Sequence, residues 1–219
     1  MRAQDSVEQL HDARIPLRNE PVQARSTARL AALLDAAAAV VNEIGYERLT
    51  TAMVAEGAGA SIGTVYRYFP DRIALLQALG ARNLDRLLAS LSIELQDARH
   101  TTWASAVDGA TDVIASAFRT EPGFRSIRVG DVIDLRPAPH ERTFLCVVSD
   151  RIVDAVVSRF GVSDGAQTRF AFETATEVID GMCARAFSRD DSGDARYLAA
   201  TKDLVHSILD APLGQGSSR

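Results

Sequence analysis

The residues best equipped for chemistry lie between Thr51 and Pro70, in the run TAMVAEGAGASIGTVYRYFP. Ser61, Ile62, Gly63, Thr64, Tyr66, Arg67 and Tyr68 crowd one short stretch of it. This set lacks a nucleophile with a base. It consists of hydroxyls, a guanidinium and small residues, the groups that contact a polyanion and read base edges. Ser61 and Thr64 can donate to phosphate or touch a base, and Ile62 can pack on a thymine methyl. Tyr66, Tyr68 and Arg67 can reach backbone phosphates, and Arg72 is placed for another. Thr50 and Thr51 stand at the head of the preceding helix, next to this set.

The elements that must position these groups are two short helices crossing closely. Such a crossing wants a small residue on the first helix and glycine in the turn four residues later. It also wants an inward apolar residue six positions further on. Ala55, Gly59 and Val65 occupy those positions, with Val54 and Ala58 as further inward contacts. The first helix is predicted from Thr50 or Thr51 to Ala58, and the second from Ser61 to about Phe69. Tyr66 and Tyr68 fall two apart, so one narrow helical face cannot bury both. The glycines Gly57, Gly59 and Gly63 follow no strand and lack the nucleotide-loop spacing, which excludes that reading.

The rest of the chain reads as all-α. A helix starting at Ser26 or Thr27 carries Leu30, Leu33, Leu34, Ala37, Ala38, Val41 and Ile44 on one face and ends at Gly45. A long helix follows Pro70-Asp71 and runs to about Leu95. Further helices are predicted over 103–120, 124–135, 141–160, Ser163 or Asp164 to Phe187, and 194–209. The organisation expected is an arm over 1–23, a helix-turn-helix domain over 24–70 and a helical domain over 71–211. Residues 71–95 of the last form the connecting helix, and 212–219 form a tail rich in Pro, Gly and Ser.

Within 219 residues, 47% are apolar, enough for a sizeable core, and the net charge is −5. No global basic signal exists, so DNA binding must rest on where the basic groups sit. Nearly all of them are arginine; Lys202 is the one lysine. Cys146 and Cys183 sit far apart in apolar stretches and read as two buried free thiols in a reducing compartment. No apolar run is long enough to span a bilayer and no leader-like segment opens the chain, so a cytoplasmic protein is expected. His100, His140 and His206 stand apart without metal spacing, and no G-x-S-x-G or C-x-x-C occurs. No enzyme activity, metal or cofactor is therefore expected.

The second half offers bulky apolar residues with polar ones among them. Trp103, Phe118, Phe124, Ile127, Val132, Phe144, Val148, Phe170 and Met182 are candidates to line a cavity, with Arg128, Asp131, Glu173, Thr174 and Glu177 as polar partners. Ordinary core packing is the competing account of each. The last two helices carry apolar residues on more than one face. Val178, Ile179, Met182, Leu198, Leu204, Val205 and Ile208 are the candidates for a two-fold interface between copies.

Residues 49–76 resemble the TetR family of bacterial repressors, and the resemblance covers 26–76 in all. The resemblance is carried by Gly45-Tyr46, Thr50, Val54-Ala55, Ala58-Gly59, Ser61, Gly63-Thr64, Tyr66-Arg67-Tyr68-Phe69-Pro70, Arg72 and Leu75-Leu76. It implies phosphate contacts from Thr50, Tyr66 and Arg72, and base-side contacts from Ile62, Gly63, Thr64 and Arg67. It further implies a homodimer on a palindromic operator, a small-molecule effector held in an apolar pocket, and repression. Two departures stand out: Arg72 replaces the usual lysine, and Ala60 the usual valine. The alternatives are a DNA-binding regulator without an effector, and a ligand-binding protein or enzyme whose helix-turn-helix is inert.

Overall fold

A computed structural model describes residues 20–129 and 143–213, with side chains from residue 24 onward. Among the described residues there is no strand. In chain order the helices are α1 (Glu20–Ile44), α2 (Thr51–Gly57), α3 (Ile62–Tyr68), α4 (Arg72–Gln96) and α5 (Trp103–Thr120). Then come α6 (Phe124–Val129), α7 (Phe144–Phe160), α8 (Ala166–Ala186) and α9 (Ala195–Leu213). A single 3-10 turn, Tyr46–Arg48, links α1 to α2.

Local side-chain chemistry sets most helix starts. Thr50, Ser61, Asp71, Thr102 and Thr143 each accept a backbone N–H three residues ahead and so satisfy a donor the helix leaves orphaned. Some boundaries differ from the sequence reading. The first helix begins at Glu20 rather than Ser26, because Pro21 sits in the first turn, where no N–H is required. Neither Ser163 nor Asp164 caps α8. Gly165 precedes it without a side-chain bond, and Asp164 instead pairs with Arg169 at 2.7 Å. The last helix continues past Leu209 to Leu213, whose side chain is buried, with Pro212 in its final turn. The helix predicted over 124–135 is described as far as Val129. Of the expected arm, residues 1–19 fall outside the described residues, as does the tail from 214.

Two hydrophobic cores share α4. Leu75, Leu76 and Leu79 belong to the first, with Leu33, Val41, Val54, Val65 and Phe69. Leu87, Leu91 and Leu95 belong to the second, with Phe118, Phe124, Phe172, Ile179 and Val205. Short α6 is split in the same way: Phe124 faces the second core and Ile127 the first. Expected as two buried thiols, the cysteines differ: Cys183 is buried and Cys146 only half-buried. Burial, with Asp180 nearby adding to it, pushes the Cys183 thiol up to about 12, so it remains protonated at neutral pH.

At the end of α4 remote from α3, a polar cluster ties the helices. The His100 ring bonds Ser105 Oγ at 2.7 Å through Nδ1 and Glu94 Oε1 at 3.0 Å through Nε2, and Glu94 also pairs with Arg99. Gly109 of α5 lets this cluster approach: a Cβ there would meet Glu94 Oε1 and lie 2.9 Å from the His100 ring. Gly109→Ala is therefore expected to lower stability by about 1–3 kcal/mol despite the helix propensity alanine gains. Urea unfolding monitored by circular dichroism measures it; unchanged or raised stability would show that the cluster moves aside freely.

Candidate nucleic-acid interface

The α2–α3 pair holds the geometry the spacing demanded. Val54, Ala55 and Val65 face inward and are buried. Gly59 takes φ +57°, a left-handed conformation that closes the turn, while the Ala60 N–H donates to Ala55 O at 2.8 Å. Ala60, half-buried, packs on the first core where a valine is usual. Val65 anchors α3 from beneath and leaves the opposite side of a two-turn helix free.

That free side carries the predicted contact residues. Ile62 is 49% exposed and Tyr66 52%, an apolar and an aromatic surface open to solvent. Gly63 has open space where a side chain would stand; its nearest neighbour would be Ser61 Oγ at 3.8 Å. Backbone can approach a groove floor closely there. Ser61 Oγ accepts the Thr64 N–H at 3.1 Å and lies 2.9 Å from Thr64 Oγ1, so the two hydroxyls are pre-arranged as a pair. Thr51 Oγ1 donates to Tyr66 OH at 3.4 Å. Thr50 Oγ1 is used as the α2 cap acceptor, which leaves its hydroxyl proton free to donate. Arg72 Nη1 donates to Glu47 O at 2.6 Å, so its guanidinium also braces the 3-10 turn. Tyr68 turns toward α1: its OH lies 3.2 Å from Ser26 Oγ, and the Arg67 guanidinium stacks 5.2 Å over its ring. The Ser26 hydrogen bond first, with help from Arg67, holds the Tyr68 phenol below its ordinary pKa.

Residue spacing missed the partners from α1. Arg25, Ser26 and Arg29 join Arg67 and Tyr68 around an open groove of about 770 Å³. Arg48 adds to the same end of the molecule beside Thr50 and Tyr66. The available signal was the i, i+4 spacing of Arg25 and Arg29, which places them on one helical face.

The second half sorts the cavity candidates differently from the sequence. Phe118, Phe124 and Phe144 cluster with Phe187, with ring centroids 5.2–6.0 Å apart, and Val148 is buried near them. Arg128 makes two 3.1 Å bonds to Asp180 on α8 and lies 4.5 Å over the Phe144 ring. Trp103 is half-buried elsewhere, edge-on to His206. Met182 is half-buried. Ile127 is corrected out of this set because it packs into the first core. Phe170 is corrected too: it is 69% exposed on the outer face of α8, with Glu173 and Glu177 exposed and Thr174 half-buried on that face. Asp131 and Val132 lie outside the described residues. A cleft of about 130 Å³ between α4 and α5, spanned by Arg86–Glu121 at 3.1 Å, is too small for a drug-sized ligand.

Of the interface candidates, Leu204 is 45% exposed, and Val178, Met182, Leu198 and Ile208 are half-buried. Ile179 and Val205 are corrections: both are buried in the chain's own second core and present no surface to a partner.

Comparison with known proteins accords with this geometry. Residues 33–79 match the model of bacterial regulatory proteins of the tetR family, and residues 101–213 match that of the tetracyclin repressor-like C-terminal domain. The transcriptional repressor KstR of Rhodococcus jostii is 42% identical over 55 residues, which is 25% of this chain and 26% of that protein. The matched segment thus spans only about a quarter of that relative's length. The transcriptional regulator BetI of Serratia proteamaculans is 25% identical over 185 residues, 79% of this chain and 88% of that protein. The crystal structure of a TetR-family transcriptional regulator from Streptomyces coelicolor superposes with a TM-score of 0.71 at 29% identity, covering 84% of this chain and 99% of that one. With the C-terminal model alone covering half of it, the chain belongs to the tetR family of bacterial regulatory proteins.

Proposed function

We propose that this chain is a sequence-specific DNA-binding transcription regulator, a repressor acting as a homodimer on a palindromic operator and released by a small apolar or amphipathic effector. The observation that carries the reading is the outer side of α3. Ile62, Gly63 and Tyr66 stand exposed and Thr64 half-buried on a helix anchored from below by Val65. Two such helices, related by a two-fold axis, fit successive major-groove turns about 34 Å apart. Regulation of this kind needs no catalytic group, and DNA places it in the cytoplasm. No described helix is long and apolar enough to cross a membrane.

Release needs a ligand that binds one arrangement of the two cores better than the other. Two elements span both cores and can carry that difference. One is α4, whose Asp71-capped start follows directly on α3. The other is α6, which holds α8 through Arg128–Asp180 and reaches the first core through Ile127. A ligand among Phe118, Phe124, Phe144 and Val148 would press on α6 directly. Naming the molecule a repressor follows the naming of relatives such as KstR.

The test is stoichiometry on duplexes the protein retains from a random library, read by sedimentation. Two chains per duplex, with two symmetric protected half-sites, are expected. Retention of one chain per duplex at full affinity would overturn the dimeric reading, and failure to retain any duplex would overturn the DNA-binding one.

A further inference from the structure

We infer that the groove between α1 and α3 is a second phosphate-binding cleft, in which Arg25 and Arg29 join Arg67 to clamp the DNA backbone beside the bases α3 reads. The inference rests on the proposed entry of α3 into the major groove. Its own evidence is the make-up of the groove. Three guanidinium groups line it, Ala28 and Ala32 form a small-residue floor, and no carboxylate among the described residues lines it. Elsewhere Arg82, Arg86, Arg99, Arg125, Arg128, Arg169 and Arg196 have carboxylate partners. Among the described residues no ion pair holds Arg25, Arg29 or Arg67. In a chain of net charge −5, three cations left unpaired around one opening mark it for an anion.

Geometry selects a polymeric anion over a free one. The groove is open rather than enclosed, and α3 contributes its last turn to it through Arg67 and Tyr68. Arginine forks match phosphate oxygens in pairs and remain charged at every relevant pH. The Ser26–Tyr68 bond fixes α1 against the last turn of α3, so the two α1 arginines keep a constant offset from Arg67. Stacked over Tyr68, Arg67 is held on the α1 side of α3, away from Ile62 and Thr64 at its start. The structure therefore assigns Arg67 to phosphate rather than to a base edge. The clamp supplies affinity and register, while the start of α3 supplies sequence preference.

The experiment compares the parent with an Arg25→Ala/Arg29→Ala double variant, measuring anisotropy of a labelled retained duplex from roughly 50 to 200 mM salt. The double variant is expected to bind about tenfold or more weakly at the low end. Its salt slope should be shallower by about 0.9 for every phosphate it no longer neutralises. The preferred sequence should be unchanged, and Arg25→Lys/Arg29→Lys should restore most of the slope. Thermal unfolding of each variant verifies the fold; if the alanine pair melts early, Arg25→Gln/Arg29→Gln takes its place. Affinity and slope equal to the parent's would overturn the clamp while leaving the proposed function standing. An altered base preference would also overturn it, because these arginines would then be reading sequence. A parent that binds no duplex at any salt would remove the proposed function and the clamp with it.

Discussion

If the chain pairs as proposed, Phe170→Glu is expected to turn the proposed dimer into monomers and to weaken binding to the proposed operator by about 100-fold or more. Phe170 is 69% exposed on α8, an outlay of aromatic surface that water does not favour. Leu204 on the adjacent α9 is 45% exposed, and α8 and α9 pack on each other along their length. Covering one phenylalanine contributes about 1.5–3 kcal/mol. In a two-fold interface each position occurs twice, so the loss doubles. The glutamate would also join Glu173 and Glu177 on the same face and set like charges against their symmetry mates. The effect on DNA follows from linkage: a monomer engages one half-site and forfeits the effective concentration the partner provides. Sedimentation velocity and duplex anisotropy read both losses. A variant that sediments with the parent would place the dimer contact elsewhere.

Gly123→Ala is expected to cost about 2–3 kcal/mol and to loosen the tie between the two cores. Gly123 precedes α6 with φ +76°, a region in which a Cβ costs about 1 kcal/mol. The added methyl would lie 3.3 Å from Ala38 O and 3.4 Å from Val41 on α1. Ala38 O is backbone inside a long helix, so α6 must retreat instead, at an overpacking cost of about 1 kcal/mol or more. Retreat draws Ile127 out of the first core, where it is 1% exposed. Denaturant unfolding tests the stability loss. Hydrogen exchange tests its location: faster exchange concentrated in α1 and α6 is expected, and uniform exchange would contradict the assigned role.

The helix-turn-helix half was legible because a close helix crossing tolerates few residues. Ala55, Gly59 and Val65 each answer a steric demand, and the structure places all of them as the spacing requires. The second half was legible as helices but not as faces. Phe170 and Phe172 stand two apart on α8, so one must point out when the other points in. Periodicity gives both an apolar neighbourhood, and packing alone buries Phe172 to 1% while leaving Phe170 in water. The same ambiguity put both Val178 and Ile179, and both Leu204 and Val205, among the interface candidates, where the more buried member of each pair belongs to the chain's own core. Ile127 was misplaced for another reason: a six-residue helix wedged between two cores has no single apolar face, and sequence cannot say which core claims each residue. The α1 arginines escaped notice because their partner, Arg67, is about 40 residues away and becomes a neighbour only through folding.

Reading of DNA sequence by α3 from a two-fold dimer is tested most directly by selecting bound duplexes from a random pool at moderate salt. The selection is carried out in parallel with the parent and an Ile62→Ala variant. A palindromic consensus is expected for the parent. For Ile62→Ala, preference should relax at one position of each half-site with the remainder retained. An unenriched pool, or an identical consensus from both proteins, would contradict sequence reading by α3.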